Sequence, residues 1–371
     1  MKIINLSSIA NPISISVQNP SRSDYDRFIG LEHYDSGEPV ITRFQGTELL
    51  TTSAKAFKAN DILIARRNVY LKRAGIVFFD GITSGDSIIL RLKEDTQKTI
   101  GYSREDLIRY IPFMLNSEHF WIYANKHADG MNSKRISKDT LLEYEFELPS
   151  IDEMRDISDK LWAAYRLKEA YKKLLVTTDE MVKSQFIEMF GNPLSLNQKN
   201  ELKRLGECCI LNPRRPNIAL CDTDKVSFIP MPAVSEDGYL VDMTDEEYGK
   251  VKKSFTYFEN NDVLFAKITP CMENGKGAIV HGLTNGIGMG STEFHVLRPI
   301  NGISSPYWLL ALTRMPIFRE RAAKNMSGTG GQKRVSASYL DHFMVGLPAI
   351  EEQRRFEAIY RQADKSEFTD T

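Results

Sequence analysis

Cysteine is scarce in this sequence of 371 residues: the only four are Cys208, Cys209, Cys221 and Cys271, all in the second half of the chain. They include no C-x-x-C pair, so their spacing predicts neither a disulfide framework nor a zinc site. Reduced thiols of this kind are typical of a cytoplasmic protein.

Long hydrophobic runs are missing as well. No apolar stretch approaches the roughly 18 residues that a membrane-spanning helix needs. The start, MKIINLSSIANPISISVQNP, interrupts its apolar positions with Asn, Ser and Pro, unlike a secretory signal. The composition, 42% hydrophobic and 26% charged, is that of a globular protein. We therefore expect a cytoplasmic protein of two domains, given its length, with no membrane partner.

An excess of charge of one sign is also absent. Lys and Arg number 48 against 49 Asp and Glu, which gives a formal net charge of −1. A neutral protein still binds DNA when its basic groups gather on one face, so net charge neither indicates nor excludes nucleic acid.

Catalytic and cofactor motifs are lacking. GIGMG (286–290) resembles a glycine-rich nucleotide or S-adenosylmethionine loop, but the strand-like STEFHVLRP follows it where that loop requires a helix. GTGGQK lacks the Gly-Lys-Ser/Thr ending of a phosphate-binding loop. NPRRP (212–216) lacks the aromatic residue that stacks on a flipped base. The six histidines have no metal-ligand spacing, and no nuclease cluster is evident. A chain with its own methyltransferase or nuclease activity would be expected to carry such motifs, and the sequence contains none that we recognise.

Glycine and proline are missing from residues 150–190, where apolar residues recur at helical steps. Ser150 and Glu153 match a capping box, while Gly191 and Pro193 suit the end of a helix. The pattern predicts one helix of about 60 Å. Its apolar stripe, which we expect to contact a partner helix or subunit, comprises Met154, Ile157, Leu161, Tyr171, Leu175, Val182 and Phe186.

The chain repeats itself. LPSIDEMRDI (148–157) returns as LPAIEEQRRF (347–356), and three further pairs keep the same order at nearly the same offset. They are KRISKDTLLEYEFELP (134–149) with KRVSASYLDHFMVGLP (333–348), FKANDILIARR (57–67) with FENNDVLFAKI (258–268), and SSIANP (7–12) with CCILNP (208–213). A unit of about 200 residues is too long for a solenoid repeat and is the size of a domain with its connector.

Each copy is predicted to be α+β. Strand-like segments such as NDILIAR and NDVLFAKI precede helical segments, which we expect to break near Pro112 and at Pro316. The second copy also ends in a helix, with a shorter stripe at Ile350, Phe356 and Ile359, which we expect to pair antiparallel with about half of the long one. The predicted boundaries are two globular domains, 1–148 and 192–347, a central helix at 149–191 and a second, short helix at 348–371.

This ordered set resembles the DNA-specificity subunits of type I restriction-modification systems. The residues that carry the resemblance are the paired strands ANDILIARR and NNDVLFAKI, the segments SGDSIILRL and GSTEFHVLRP, the loops NSKRIS and GGQKRVS before the two helix starts, and the helix ending FIEMFGNP. Together they cover nearly the whole chain. The second helix is shorter than is usual in the family.

The resemblance implies two target-recognition domains and spacer helices in a pseudo-twofold arrangement. It implies a non-catalytic subunit that binds double-stranded DNA at two short half-sites and directs methyltransferase subunits and restriction endonuclease/translocase subunits. S-adenosylmethionine, ATP and Mg would then be bound by those partners. The alternative is a coiled-coil scaffold that binds proteins alone.

The candidate DNA contacts lie in four basic segments, two in each copy. Arg, Lys, Asn and Gln pair with base edges, and glycine lets backbone N–H groups approach phosphates. A single lysine or arginine is as often a solvated surface charge, but matched positions in both copies favour a shared role. The candidates are Arg66, Arg67, Lys72, Arg73, Asn132, Lys134 and Arg135 in the first copy, and Lys267, Lys276, Gly330, Gln332, Lys333 and Arg334 in the second.

Overall fold

The computed structural model describes residues 2–130, 133–191, 201–329 and 331–363. The chain divides into two units, Met1–Glu169 (unit 1) and Ala170–Thr371 (unit 2). Two predicted DNA contacts, Asn132 and Gly330, lie outside the described residues, as do Pro193 and the last part of the second predicted helix.

Unit 1 is α+β. Its strands are β1 (Lys2–Asn5), β2 (Ala10–Ile13), β3 (Ile15–Val17), β4 (Phe28–Ile29), β5 (Ala54–Phe57), β6 (Ile62–Ala65), β7 (Ala74–Ile76), β8 (Gly81–Thr83), β9 (Ser87–Leu92) and β10 (Glu145–Leu148). Its helices are α1 (Thr96–Thr99), α2 (Arg104–Met114), α3 (Glu118–Lys126), α4 (Lys138–Leu142) and the first half of α5 (Ile151–Phe190).

Unit 2 contains the second half of α5 and the same kinds of element. Its strands are β11 (Glu201–Arg204), β12 (Cys209–Leu211), β13 (Lys225–Ile229), β14 (Thr244–Glu247), β15 (Thr256–Glu259), β16 (Val263–Ala266), β17 (Gly277–Ile279), β18 (Ile287–Gly290), β19 (Phe294–Pro299) and β20 (Met344–Leu347). Its helices are α6 (Leu205–Cys208), α7 (Tyr248–Val251), α8 (Pro306–Arg314), α9 (Pro316–Lys324), α10 (Ala337–Asp341) and α11 (Ile350–Ala363).

A four-stranded antiparallel sheet has the same order in both units: β2-β9-β6-β7 in unit 1 and β12-β19-β16-β17 in unit 2. The register also agrees, since Ile62 pairs with Leu90 and Val263 pairs with Leu297. The central strands β6 and β16 are buried along their whole length, as expected for continuous runs of apolar residues. The repeat seen in the sequence is therefore a repeat of topology.

The second four-stranded sheet differs between the units. Three strands correspond, β5-β8-β4 and β15-β18-β13, each with one parallel and one antiparallel pair. The fourth strand joins opposite edges: β3 pairs with β5, whereas β14 pairs with β13. The two copies have diverged at the edges of this sheet.

The glycine-rich GIGMG segment belongs to this second sheet, because its residues from Ile287 to Gly290 form β18. A Cβ atom on Gly288 would lie 2.0 Å from the ring of Phe258, and one on Gly290 would lie 2.4 Å from the Ile229 carbonyl oxygen. These glycines are required by close packing within the sheet.

One arginine–aspartate pair recurs at the same place in both units. Asp61 accepts two hydrogen bonds of 2.7 Å from Arg91, and Asp262 accepts two of 2.8 Å from Arg298. Each aspartate is 1% exposed and lies just before its central strand. The bidentate pairs satisfy carboxylates that burial would otherwise destabilise.

The helices between sheet and spacer break close to the two predicted prolines. In unit 1 the break falls at 115–117, near Pro112 as predicted, although Pro112 itself lies inside α2, which continues to Met114. The next helix starts at a local cap, where the Ser117 hydroxyl accepts a hydrogen bond from the Phe120 N–H. In unit 2 the break falls at Pro316, the first residue of α9, as predicted.

The long helix α5 runs unbroken from Ile151 to Phe190, as its period predicts. The capping box is formed: Glu153 accepts hydrogen bonds from the backbone N–H of Ser150 (3.0 Å) and from its hydroxyl (2.7 Å). At the other end Gly191 has a positive φ of 70°, the left-handed conformation that suits a helix terminus. None of the described helices is long and apolar enough to span a membrane.

Within unit 2 the end of α5 packs against α11. The Phe356 ring lies 5.3 Å from that of Phe186 and 5.5 Å from that of Phe190. Further along α11, Tyr360 lines a small cavity together with Val182, one turn earlier in α5. The two helices therefore run antiparallel where they meet, as predicted.

Candidate nucleic-acid interface

Two predicted segments of unit 1 lie side by side. The Ile136 N–H donates to the Arg66 carbonyl (3.0 Å), and the Asn68 N–H donates to the Lys134 carbonyl (2.8 Å). The loop that leaves β6 and the basic loop before α4 are thus joined by backbone hydrogen bonds. The fold brings together candidates that are more than sixty residues apart in sequence.

Unit 2 repeats this junction. The Val335 N–H donates to the Lys267 carbonyl (3.0 Å), and the Thr269 N–H donates to the Lys333 carbonyl (3.0 Å). We call the joined loops basic site 1 (residues 66–73 and 129–137) and basic site 2 (residues 267–276 and 327–336).

Each basic loop also closes on itself. Arg135 and Asp129 exchange backbone hydrogen bonds of 2.8 and 2.9 Å, and Arg334 and Ser327 exchange bonds of 2.8 and 3.0 Å. These bonds fix the backbone at the base of each loop.

An acidic residue lies beneath each loop, a feature that the candidate list omitted. The Asp86 carbonyl accepts from the Arg66 N–H, and the Glu293 carbonyl accepts from the Lys267 N–H, both at 2.9 Å. The Glu293 carboxylate is paired with Arg334 (2.7 Å), and these hydrogen bonds hold the pKa of Glu293 below its usual value. Both acids stand at matched places in SGDSIILRL and GSTEFHVLRP, so the alignment of the copies contained this signal.

Two matched lysines are exposed in the sites, as are Arg67 and Arg135 in basic site 1. Lys134 and Lys333 are both exposed, and so is Gln332. Among the described residues, neither lysine has an acidic partner at ion-pair distance. Each carbonyl is held by the neighbouring loop while the ammonium group is left to solvent, which suits contact with a phosphate or a base edge.

The remaining unit 1 candidates are paired with other groups of the protein or partly buried. Lys72 is paired with Glu118 (2.8 Å), and Arg73 donates to the carbonyls of Leu31 and Arg67, each at 3.0 Å. Burial lowers the pKa of Arg73, which is mostly occupied in holding its own loop. The Arg66 Nε is buried and has no hydrogen-bond partner within the described part of the chain.

Basic site 2 depends on a buried arginine that sequence reasoning missed. Arg319 in α9 donates to the carbonyls of Met272 (2.7 Å) and Gly275 (3.2 Å), and its guanidinium lies 4.3 Å from the centre of the Phe265 ring. Burial lowers the pKa of Arg319 to about 9. It therefore holds the loop that carries Lys276, and both Lys267 and Lys276 are partly exposed on either side of that loop.

A buried histidine supports the same site. The His295 Nε2 lies 2.9 Å from the Val335 carbonyl, and its Nδ1 lies 3.0 Å from the side-chain amide of Asn212. A neutral ring satisfies both contacts, and burial lowers the pKa of His295. Asn212, the first residue of NPRRP, thus has a structural role beside the loop.

The predicted interface residues fall into three groups. Some are buried in the core of their own unit, some are partly buried on α11, and some are exposed on α5. The buried ones are Met154 in unit 1 and Val182, Phe186 and Phe356 in unit 2; Ile350 and Ile359 are partly buried; Ile157, Leu161, Tyr171 and Leu175 are exposed, by 37% to 58%.

Comparison with known proteins finds a family match in the second half of the chain. Residues 197–368 match the type I restriction modification DNA specificity domain. This part of the chain is therefore similar to that domain. The matched residues include those of basic site 2, with Glu293 and the buried Arg319.

Two specificity subunits of Escherichia coli support the same family. The chain is 42% identical over 136 residues to the EcoAI type I restriction enzyme specificity subunit and 37% identical over 166 residues to that of EcoEI. The matches cover 36% and 44% of this chain but only 23% and 27% of those relatives, so the chain spans about a quarter of their length in these alignments. The resemblance to type I specificity subunits is confirmed.

The fold has a counterpart among solved structures. A crystal structure of a type I restriction-modification system S subunit from M. genitalium matches with a TM-score of 0.55 and 13% identity, over 98% of this chain and 89% of that one. This likeness supports the predicted α+β fold of two globular domains and long helices across both copies.

Proposed function

We propose that this chain is the sequence-specific DNA-binding subunit of a type I restriction-modification complex. The observation that carries the proposal is the duplicated basic site. In each unit a strand-end loop and a basic loop are joined by the same backbone hydrogen bonds, with an exposed lysine at the junction. One such site in each unit suits a target with two half-sites.

Each site would work through its own side chains. The exposed lysines supply the sequence-independent attraction to phosphates that dominates affinity. Side chains with both donors and acceptors, such as Gln332, pair with adenine or another base edge in the major groove. The backbone hydrogen bonds between the loops fix the position of these side chains before DNA arrives, which reduces the entropy lost on binding.

The chain's partners are part of the proposal. We expect it to bind methyltransferase subunits and, through the same complex, restriction endonuclease/translocase subunits. Leu167, Leu174 and Val176 on α5 are 58% to 59% exposed, which is unusual for large apolar side chains and supports a protein partner on this helix. Catalysis, S-adenosylmethionine, ATP and Mg would then belong to the partner subunits.

Methylation-site mapping tests the proposal. The chain would be co-expressed with its neighbouring methyltransferase subunit, and the methylated positions in the host DNA would be read by single-molecule sequencing. We expect a new motif of two short half-sites separated by an unread gap. A culture that expresses the methyltransferase subunit alone is the control, and it should lack the motif.

The absence of a methylated motif would have two possible explanations, and a pull-down of the methyltransferase subunit distinguishes between them. If the chain fails to retain the methyltransferase subunit, the complex has not assembled and duplex binding by the chain alone becomes the test. If the subunit is retained and still no motif forms, the proposed specificity role is wrong.

A further inference from the structure

The two basic sites hold their arginines in different ways. In basic site 2 the Arg334 Nε lies 2.9 and 3.1 Å from the two Glu293 carboxylate oxygens, and its Nη2 donates to one of them at 2.7 Å. In basic site 1 the Asp86 carboxylate lies 3.8 Å from Arg67 and 3.9 Å from Arg135, too far for a hydrogen bond to either. Among the residues that the structure describes in the two sites, the Arg334–Glu293 contact is the one bidentate ion pair.

The two basic sites differ in charge because different residues lie opposite Arg135 and Arg334. Arg67 forms a β-bridge with Arg135 in unit 1, and Ile268 forms the matching bridge with Arg334 in unit 2. Unit 1 therefore sets two guanidinium groups against one carboxylate, whereas unit 2 sets one against one. The first set of three groups has a net positive charge, whereas the Arg334–Glu293 pair is neutral.

Arg334 is directed at its own loop. Besides Glu293, its Nη1 donates to the Gln332 carbonyl (3.4 Å). The next residue, Lys333, has a carbonyl that accepts from both the N–H (3.0 Å) and the hydroxyl (3.2 Å) of Thr269. A chain of contacts thus runs from Glu293 through Arg334 to the backbone of the two exposed side chains.

A bidentate pair limits what an arginine offers to DNA. Reading a guanine or a phosphate uses the same parallel N–H groups that Glu293 already accepts. In unit 1 the guanidinium groups of Arg67 and Arg135 are about half exposed. The Arg67 Nε donates to the Ser133 hydroxyl (2.9 Å), but neither group is in a bidentate pair with a carboxylate among the described residues.

We propose that Glu293 and Arg334 are positioning residues, which hold Gln332 in place to read one half-site and Lys333 in place to contact phosphate, while Arg67 and Arg135 in unit 1 meet the DNA directly. This inference rests on the proposed DNA-binding function and assigns different work to matched residues in the two units.

The inference and simple electrostatics predict different effects of Glu293→Gln on DNA binding. Glu293→Gln removes a negative charge from a surface that faces a polyanion, so attraction alone would tighten binding to every duplex. If Glu293 positions the reading residue, the same change weakens discrimination between the target and other sequences. Asp86→Asn is the matched control, since Asp86 holds neither arginine by a hydrogen bond.

The test uses the full-length chain and a library of random-sequence duplexes. The duplex enriched by the wild-type chain and a scrambled duplex are then titrated by fluorescence anisotropy at several NaCl concentrations. For Glu293→Gln we expect the ratio of the two affinities to fall about tenfold, the size of one lost base contact. Its affinity for the scrambled duplex should be equal to that of the wild-type chain or greater. For Asp86→Asn the ratio should be kept while both affinities rise.

A double-mutant cycle provides a second readout. Arg334→Lys keeps the charge but loses the bidentate pair, so it should reduce the affinity ratio as Glu293→Gln does. The double variant should be no worse than either single one, because both act through the same contact. Thermal unfolding midpoints near that of the wild-type chain establish that unit 2 is folded in each variant.

Three results would overturn the inference. Tighter binding of Glu293→Gln to the enriched duplex with an unchanged ratio would make Glu293 a mere repulsive charge. Additive losses in the double variant would make Arg334 a direct reader. If the wild-type chain enriches no duplex at all, the proposed function fails and this inference fails with it.

Discussion

At the scale of single residues, Lys134 and Lys333 stand at matched positions of the two basic sites. The backbone carbonyl of each lysine accepts a hydrogen bond from the neighbouring loop, and both side chains are exposed. The arginines next to them are in contact with acids and the other basic candidates mostly support their own loops. The lysines are therefore the plainest candidates for phosphate contacts.

Replacing one lysine tests this role. We expect Lys134→Ala or Lys333→Ala to weaken binding to all duplexes alike and to lower the salt dependence of log K by about 1 for each lost phosphate contact. Fluorescence anisotropy at several NaCl concentrations measures the slope. Lys253→Ala, at an exposed lysine outside both sites, should leave the slope unchanged; an equal effect there would point to a general charge effect.

His295 gives unit 2 a dependence on pH. The folded site favours the neutral ring, which burial and nearby Lys267 support and Glu293 opposes, and the net result is a pKa below the usual value. Since the unfolded chain has a His pKa of roughly 6.5, it binds more protons than the folded chain as pH falls below that value. The stability that His295 contributes is therefore present above about pH 6.5 and is lost as pH falls towards the folded pKa.

Chemical denaturation at pH 7.5 and 5.5 measures this effect. The wild-type chain should lose up to about 1.4 kcal/mol for each unit by which the pKa is lowered. His295→Gln should be less stable at pH 7.5 but lose less between the two values. Unit 1 has Ile88 at the matching register position, so its unfolding should not show this histidine contribution. Equal pH dependence of variant and wild type would contradict the assignment.

At the scale of elements, the two repeated helix starts are anchored differently. The first uses the capping box of Ser150 and Glu153 at the surface. The second has Ala349 in place of the serine and instead buries Gln353 completely. The Gln353 side chain accepts from the Ser305 N–H (2.9 Å) and donates to the Ile303 and Pro348 carbonyls (2.9 Å each).

This difference predicts unequal costs. Ser150→Ala should destabilise its unit by about 1 kcal/mol, the usual value of a helix cap. Gln353→Met, which introduces the residue found at the matching position 154, should cost about 1–3 kcal/mol or more because buried backbone groups lose their partners. Urea unfolding of the two variants checks the order. A Gln353→Met chain as stable as wild type would show that water or rearrangement replaces those hydrogen bonds.

At the scale of the whole molecule, the duplication predicts two separable specificities. Each unit has its own sheets, core and basic site. The sites also differ in detail, so identical half-sites are not expected. Substitutions in one site should therefore change one half of the methylated motif and leave the other half intact.

Methylation mapping of paired variants tests that expectation. Lys134→Ala with Arg135→Ala should relax or abolish the half-site read by unit 1, and Gln332→Ala with Lys333→Ala that read by unit 2. Pull-down of the methyltransferase subunit should be unchanged by both pairs. Loss of both half-sites in each variant would mean that the units do not read DNA independently.

The sequence by itself determined the repeat, the α+β character of each copy and the long helix. These follow from local signals: periodicity, capping residues and the order of apolar runs, all of which act over a few neighbouring residues. Pro112 shows the precision of such signals, since the break falls just beyond the proline, where Ser117 caps the next helix.

Only the tertiary structure decided what the basic residues do. Arg135 and Arg334 occupy the same place in the repeat. Arg135 lies beside Arg67 and Asp86 without a hydrogen bond to that carboxylate, whereas Arg334 forms a bidentate pair with Glu293. Their difference depends on Asp86, Glu293 and the side chain opposite each arginine, which are far apart in sequence. Ion pairs and burial depend on distances between such residues, and only folding sets those distances.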